Sequence, residues 1–353
     1  MPSKQGVATG RVLEQLGKLP SSRFMGSKSA ILPFIFEHLN RLEFESALDA
    51  FAGSASVSYL LKAMGKRVVS NDFMSFSFHT ARSIVENSGT RLSQADVDSL
   101  LRLNPRADDF VQRTFRGLYF TDSENSLLDA IIANANELAS PLKRSIALAA
   151  ATRACLRRRP RGIFTYTGLR YDDGRRHLRM SLEALFREAV DEINAAVFSN
   201  GKRNKAYNLD IAEVPSVADV DLVYFDPPYV SPLSDNDYIR RYHFVEGLSR
   251  YWQGLDIQEH TKTKKFRRYP SKFDSRKTVY EGFEELFCRF RNSIIVVSYS
   301  SNGIPSRDEL EAMLAKYKRT TVHEVDHRYS FGTHKHKVGA NKNEVVEYLF
   351  VGV

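Results

Sequence analysis

The residues best suited to chemistry are Asp226-Pro227-Pro228-Tyr229, placed directly after the apolar run Asp221–Phe225. Two prolines lock the backbone and remove two N–H donors, leaving carbonyls free to accept hydrogen bonds. Asp226 adds an acceptor-only carboxylate, and Tyr229 adds a ring for stacking. This set suits a planar group bearing an exocyclic NH2, with two acceptors for two amino hydrogens and a face to lie on. A tight turn ending a strand would also use Asp-Pro, but it would not need the whole combination. A second segment, Leu48 to Val57 (LDAFAGSASV), reads as a strand closing in a small-residue turn that opens a helix. Such a turn lets a ligand approach backbone N–H groups and a helix N-terminus. The next strand ends at Asn71-Asp72, where an acid can bind ribose hydroxyls. A dinucleotide-binding turn would carry three glycines and this one carries Gly53 alone, so an NAD-linked oxidoreductase is a weak alternative. Third is Arg23-Phe24-Met25-Gly26-Ser27-Lys28, before a helix. Lys28 there opposes the helix dipole, so it is either a ligand contact or a plain first-turn residue. Fourth is Asn208-Leu209-Asp210-Ile211, where Asp210 is either a ligand contact or the cap of a turn at Ala212-Glu213.

The elements that position these residues follow from hydrophobic periodicity. Residues 47–51, 66–70, 221–225 and 293–299 read as buried strands, and residues 29–39, 54–64, 75–87 and 308–317 as helices. Strands alternating with helices predict βαβ units in a parallel, doubly wound α/β sheet. In such a sheet ligands bind beyond the carboxyl ends of the strands, which is where Asp226 falls. Residues 94–103, 123–138, 141–156 and 181–198 form a mostly helical stretch that interrupts the sheet pattern. The ending, residues 319–330 and 344–351, reads as an antiparallel hairpin. The expected organisation is an N-terminal extension over 1–22, a sheet domain over 23–90 and 201–353, and an inserted helical subdomain over 91–200.

Composition bounds the class. The chain has 353 residues, 42% hydrophobic and 26% charged, with a formal net charge of +9. These values exclude collagen-like and disordered chains, and two distant cysteines exclude a disulfide scaffold or zinc cluster. No apolar run is long enough for a bilayer and the first twenty residues do not read as a signal peptide, which predicts a cytoplasmic protein without a membrane partner. The positive charge gathers in three runs: residues 153–179, 262–277 and 333–342, each with Tyr or Phe beside it. Basic side chains neutralise phosphates and aromatic rings stack on bases, so a nucleic acid is the expected partner. His323, His327, His334 and His336 lack metal-ligand spacing and are assigned to a basic loop; no metal is expected. Tyr242-His243-Phe244 and Tyr251-Trp252 read as helix core.

The order of these motifs resembles the Dam-like, alpha-group DNA N6-adenine methyltransferases. The resemblance runs from about Arg23 to Val353, with the helical insert where that group carries its target-recognition domain. It implies a Rossmann-like methyltransferase sheet, S-adenosyl-L-methionine as cofactor, and transfer of a methyl group to adenine N6 in duplex DNA after base flipping. It further implies a restriction–modification or defence setting, a possible cognate endonuclease, a monomer, and a prokaryotic, nucleoid-associated protein. Asp226, Pro227, Pro228 and Tyr229 would be catalytic. Phe24, Lys28, Asp49, Phe51, Gly53, Ser54, Asp72, Asp210 and Ile211 would line the cofactor pocket, with Asp72 on the ribose and Asp210 on the cofactor's adenine amino group. DNA contacts would come from Arg157, Arg158, Arg159, Arg161 and Arg170 of the insert, from Lys264, Lys265, Arg267 and Arg268, and from Lys335 and Lys337. Ala55 departs from the pattern, standing where such proteins usually have a second glycine, and its methyl is expected to narrow the cofactor turn. An RNA adenine methyltransferase and a non-catalytic nucleic-acid-binding module with the same fold are the alternatives.

Overall fold

The computed structural model describes residues 4–21, 23–168, 174–215, 220–228, 230, 238–267, 269–328 and 344–353. The chain begins with α1 (Lys4–Leu16) and α2 (Leu32–Leu39), then β1 (Ser46–Asp49), α3 (Ser56–Ala63), β2 (Arg67–Asn71) and α4 (Ser75–Ala81). Five helices follow: α5 (Gln94–Leu100), α6 (Phe110–Thr114), α7 (Asp122–Glu137), α8 (Pro141–Arg158) and α9 (Leu182–Ala196). The sheet resumes with β3 (Lys205–Tyr207) and β4 (Leu222–Phe225), followed by α10 (Tyr238–Arg250) and α11 (Val279–Arg289). The last elements are β5 (Ile294–Ser300), α12 (Arg307–Ala315), β6 (Thr320–Arg328) and β7 (Glu344–Gly352).

These strands form one sheet in the order β3-β2-β1-β4-β5-β7-β6. The first five are parallel, β7 lies antiparallel to β5, and β6 lies antiparallel to β7. Alternation along the strands separates two cores. Leu222, Tyr224, Val296 and Leu349 pack on one face, while Val223, Phe225, Val297 and Phe350 pack on the other. Side chains of successive strand residues point to opposite faces, so continuously apolar strands demand helices on both sides. The first core takes in residues of α1 to α4 and of the helical stretch through α9; the second holds Phe283, Phe287, Leu310 and Leu314 of α11 and α12.

The predicted strands and helices reappear, with differences of physical origin. The helix expected over 75–87 ends as α4 at Ala81 and continues as a π-helical turn, Arg82–Glu86. β3 escapes sequence reading because it is three residues long and opens on an exposed lysine. α1 belongs to the packed body: Val12 is buried and the Gln15 amide donates to the Tyr59 hydroxyl at 2.6 Å. Capping boxes at Ser93/Asp96, Thr121/Glu124 and Ser306/Glu309 start α5, α7 and α12. The chain winds outward from β1 to β2 and β3, then returns to place β4 on the other side of β1. That reversal opens a crevice at the carboxyl ends of β1 and β4.

Candidate active site

β1 delivers Asp49 to the crevice, with 1% of its surface exposed. Its Oδ2 accepts from the Ser58 backbone N–H at 3.0 Å and the Ser58 hydroxyl at 2.6 Å, which fixes the start of α3. Its buried Oδ1 has no hydrogen-bond partner among the described residues. Burial pushes the Asp49 carboxyl up to about 7, helped by the nearby Asp226 and Asp72 charges and opposed by Ser58.

The turn after β1 depends on Gly53, which sits at φ +49° and packs so closely that a Cβ would lie 2.9 Å from Phe24 Cε1. Its N–H donates to Asp72 Oδ2 at 2.7 Å, and the Met74 N–H donates to Asp72 Oδ1 at 2.8 Å. Burial raises the Asp72 carboxyl to about 6 against these two bonds. Ala55 also adopts a left-handed conformation, φ +59°. Ala55, whose methyl was expected to narrow the turn, is fully buried in the first core and is not among the residues lining the small cavity. Asn71 ties the crevice together, its amide donating to Leu209 O at 3.1 Å and Ala50 O at 3.3 Å.

Lys28 and Asp226 meet across the crevice. The Lys28 Nζ lies 2.9 Å from Asp226 Oδ1, with the lysine side chain 4% and the aspartate side chain 19% exposed. Burial raises the Asp226 carboxyl to about 6, Lys28 acts against that, and Glu347 adds to it. Glu347, on β7, escaped sequence reading, although a glutamate between the apolar residues Val345-Val346 and Leu349–Val351 was the available signal. Tyr238 was missed as well; it stacks on Phe24 at 5.6 Å, and Tyr242 stacks on the same ring at 5.2 Å.

A cavity of about 50 Å³ is lined by Lys28, Asp49, Gly53, Ser54, Asp72 and Asp226. A larger one of about 700 Å³ includes Asp210, Ile211 and Phe273 in its wall. Phe51, Phe73 and Pro228 line both, so the two adjoin. Asp210 is the turn cap and a wall residue at once: its Oδ1 accepts from Ala212 N–H at 2.9 Å. All nine residues expected at the cofactor pocket, from Phe24 to Ile211, thus line one or both cavities. Pro227 is buried, and Tyr229 lies outside the described residues.

The basic residues fare differently. Arg157, Arg158 and Arg159 are not a DNA-facing run. Arg157 is 4% exposed and its Nη2 lies 2.7 Å from Glu192 Oε1. The Arg158 Nε lies 2.9 Å from Glu124 Oε1. Arg159 is fully buried, donating to Gly168 O at 2.8 Å and Tyr166 O at 2.7 Å, with its guanidinium over the Tyr119 ring. The charges of Arg157 and Arg158 are met inside the protein, because the last turn of α8 faces acids on α7 and α9, while Arg159 is held by backbone carbonyls and an aromatic ring. Arg161 and Lys265 are partly exposed, Lys264 is paired with Glu259 at 2.8 Å, and Arg267 is exposed, 3.9 Å from Asp256. Arg170, Arg268, Lys335 and Lys337 lie outside the described residues. Tyr242, His243 and Phe244 are buried on α10, as helix core requires. Tyr251 and Trp252 are not part of the helix: they form the left-handed turn that follows it, Trp252 buried and Tyr251 half-buried. No helix among the described residues is long and apolar enough to cross a membrane.

A doubly wound sheet ending in an antiparallel hairpin, with an Asp-Pro-Pro corner at its switch point, is the architecture of the Rossmann-like methyltransferases. The chain belongs to the D12 class N6 adenine-specific DNA methyltransferases, whose pattern it matches over residues 24–331. It is similar to the Type II methyltransferase M2.HphI of Haemophilus parahaemolyticus, at 30% identity over 95% of this chain and 98% of that protein. It is also similar, at 24% identity over 93% of this chain, to modification methylase StsI of Streptococcus sanguinis and Type II methyltransferase M.FokI of Planomicrobium okeanokoites. It spans 51% and 52% of their lengths. The protein is therefore an adenine-specific DNA methyltransferase, and the RNA, non-catalytic and oxidoreductase readings are set aside.

Proposed function

We propose that this enzyme transfers the methyl group of S-adenosyl-L-methionine to adenine N6 at a specific sequence in duplex DNA. The observation that carries the reading is Asp226, a largely buried carboxylate at the switch point, facing a cavity walled by two further acids, Asp49 and Asp72. The unsatisfied Asp49 Oδ1 and the surrounding negative charge fit a cationic donor. When bound, the sulfonium supplies an electrophilic methyl group. Its methionine end suits the small cavity beside Lys28, Gly53 and Ser54, and its adenosine the larger one beside Asp210 and Ile211, with Asp72 close enough to both for the ribose.

The protein's part is positioning and charge. The target base leaves the stack, because N6 is paired and out of reach inside a duplex. Asp226 and the Pro227 carbonyl accept the two amino hydrogens, and Tyr229 stacks on the ring. The nitrogen lone pair is thereby turned out of conjugation and toward the methyl. Fixed groups in a site that excludes water account for most of the rate. The nitrogen then carries positive charge and gives up a proton through Asp226 to solvent.

Arg161, Lys265 and Arg267 are proposed to contact DNA, and residues 91–200 to serve as the target-recognition domain, inserted between the two parts of the catalytic domain. The relatives' names, Type II methyltransferases and a modification methylase, support a restriction–modification role; a cognate endonuclease, a monomeric state and action on DNA in a prokaryotic cytoplasm complete the proposal. The test is sequencing with modification detection on DNA from cells expressing the protein. N6-methyladenine at one recurrent site is expected, and Asp226→Asn should abolish it. Methylation spread without sequence preference would overturn site specificity.

A further inference from the structure

Lys28 is held between two carboxylates that lie far apart along the chain. Its Nζ lies 2.9 Å from Asp226 Oδ1 and 3.6 Å from Glu347 Oε2. Glu347 is 1% exposed, in the middle of β7 and opposite Ser300 of β5. A strand buried on both faces would be more stable with an apolar residue there, since burying a carboxylate is costly unless its charge is answered. Among the described residues, a cation that answers Glu347 is Lys28.

We infer that Glu347 is a positioning residue for methyl transfer: it shares the Lys28 ammonium and so leaves one oxygen of Asp226 available to the adenine amino group. This rests on the assignment of Asp226 as the acceptor for N6. A lone ammonium facing a lone buried carboxylate would settle across both oxygens and neutralise it. With Glu347 behind it, Lys28 anchors Oδ1 alone, and the three ionised groups keep one net negative charge beside the reacting nitrogen. That charge matters at one moment. The N6 lone pair forms the new bond to the methyl as the methyl's bond to the sulfonium sulfur breaks, the sulfur keeping that electron pair. The nitrogen is then cationic until one of its two protons passes to Asp226 and on to solvent. Among the described residues, the charged and titratable groups around Asp226 are Lys28 from the turn before α2, Tyr224 from β4, Asp49 from β1 and Glu347 from β7, with Asp72 of the β2 end acting on Asp49. Glu347 raises the Asp226 carboxyl and Lys28 lowers it.

The test compares the native enzyme with Glu347→Gln and Asp226→Asn, using tritiated S-adenosylmethionine and genomic DNA from a strain free of adenine methylation. Asp226 must be ionised to accept a proton, so removing the neighbouring anion should move the acid limb of kcat down by about one pH unit, with plateau kcat about tenfold lower. KM for the donor should stay within about twofold, because Glu347 lies behind Lys28 and outside the cavity wall. A merely structural role would change thermal stability and leave the pH limb in place. Native-like kcat with an unmoved limb in Glu347→Gln, alongside an inactive Asp226→Asn, would overturn this inference alone. An active Asp226→Asn would overturn the assignment beneath it. If Glu347→Gln does not fold, Glu347→Asp serves: the limb should stay and kcat should fall, and unchanged kcat would overturn the role.

Discussion

Asp49, Asp72 and Asp226 crowd one end of the sheet, and burial holds all three above the usual carboxylate range. The folded protein binds their protons more tightly than the unfolded chain does. Their contribution to stability is therefore full below about pH 4 and declines as pH rises through about 6 to 7. A cation in the crevice reverses that bias. S-adenosylmethionine should therefore raise the thermal midpoint more at pH 8 than at pH 5, and its binding near pH 7 should release protons. Calorimetry in buffers of different ionisation enthalpy reads the release, and Asp49→Asn should diminish it. Activity should rise with pH through about 6, where Asp226 ionises; a rate flat between pH 5 and 8 would contradict that. Asp226, Lys28 and Asp72 were legible in the sequence because each sits in a short local pattern. The meeting of Lys28 with Glu347 was not, because only the strand order brings residues so far apart in sequence together.

At the scale of elements, the last turn of α8 shows how a charge run misleads. Arg157 to Arg159 read in sequence as DNA contacts, yet the acids that pair with Arg157 and Arg158, Glu192 and Glu124, come from α9 and α7, which no linear pattern reveals. Arg159→Ala is expected to cost about 3 kcal/mol, because it empties a buried site and leaves the Gly168 and Tyr166 carbonyls without their donor. Denaturant unfolding measures this, and the salt slope of DNA binding in the folded variant should be unchanged. Equal stability with a flatter slope would restore the DNA-facing reading. The turn before α3 gives an opposed pair. Gly53→Ala forces a methyl against Phe24 and should weaken cofactor binding about tenfold, roughly 1.4 kcal/mol. Ala55→Gly relieves a left-handed alanine, worth about 1 kcal/mol, but gives up chain entropy of about the same size. Its thermal midpoint and cofactor affinity should both stay close to those of the native enzyme.

Across the whole molecule, the parallel strands were readable because burial on both faces leaves continuous apolar runs, whereas β3 and α1 carry too few apolar residues to announce themselves. The α8 arginines balance internal acids, so the net charge of +9 is carried elsewhere, in part at exposed residues such as Arg267. Charge removal at Lys265 and Arg267 should reduce the slope of log affinity against log salt by about one for each phosphate no longer neutralised, as titrations between low and moderate salt would show. The sheet order has a further consequence for how the protein comes into being. β7 lies between β5 and β6 and follows both in the chain, so during synthesis the carboxyl half of the sheet has a gap until β7 has left the ribosome. Lys28 is made long before Glu347. A nascent chain released early, or trimmed by a protease ahead of β7, would carry every motif of the crevice and still leave the strand beside β5 missing. Emergence of β7 thus acts as a late checkpoint in assembling the site, and a product cut short before it would not methylate the genome of the cell that makes it.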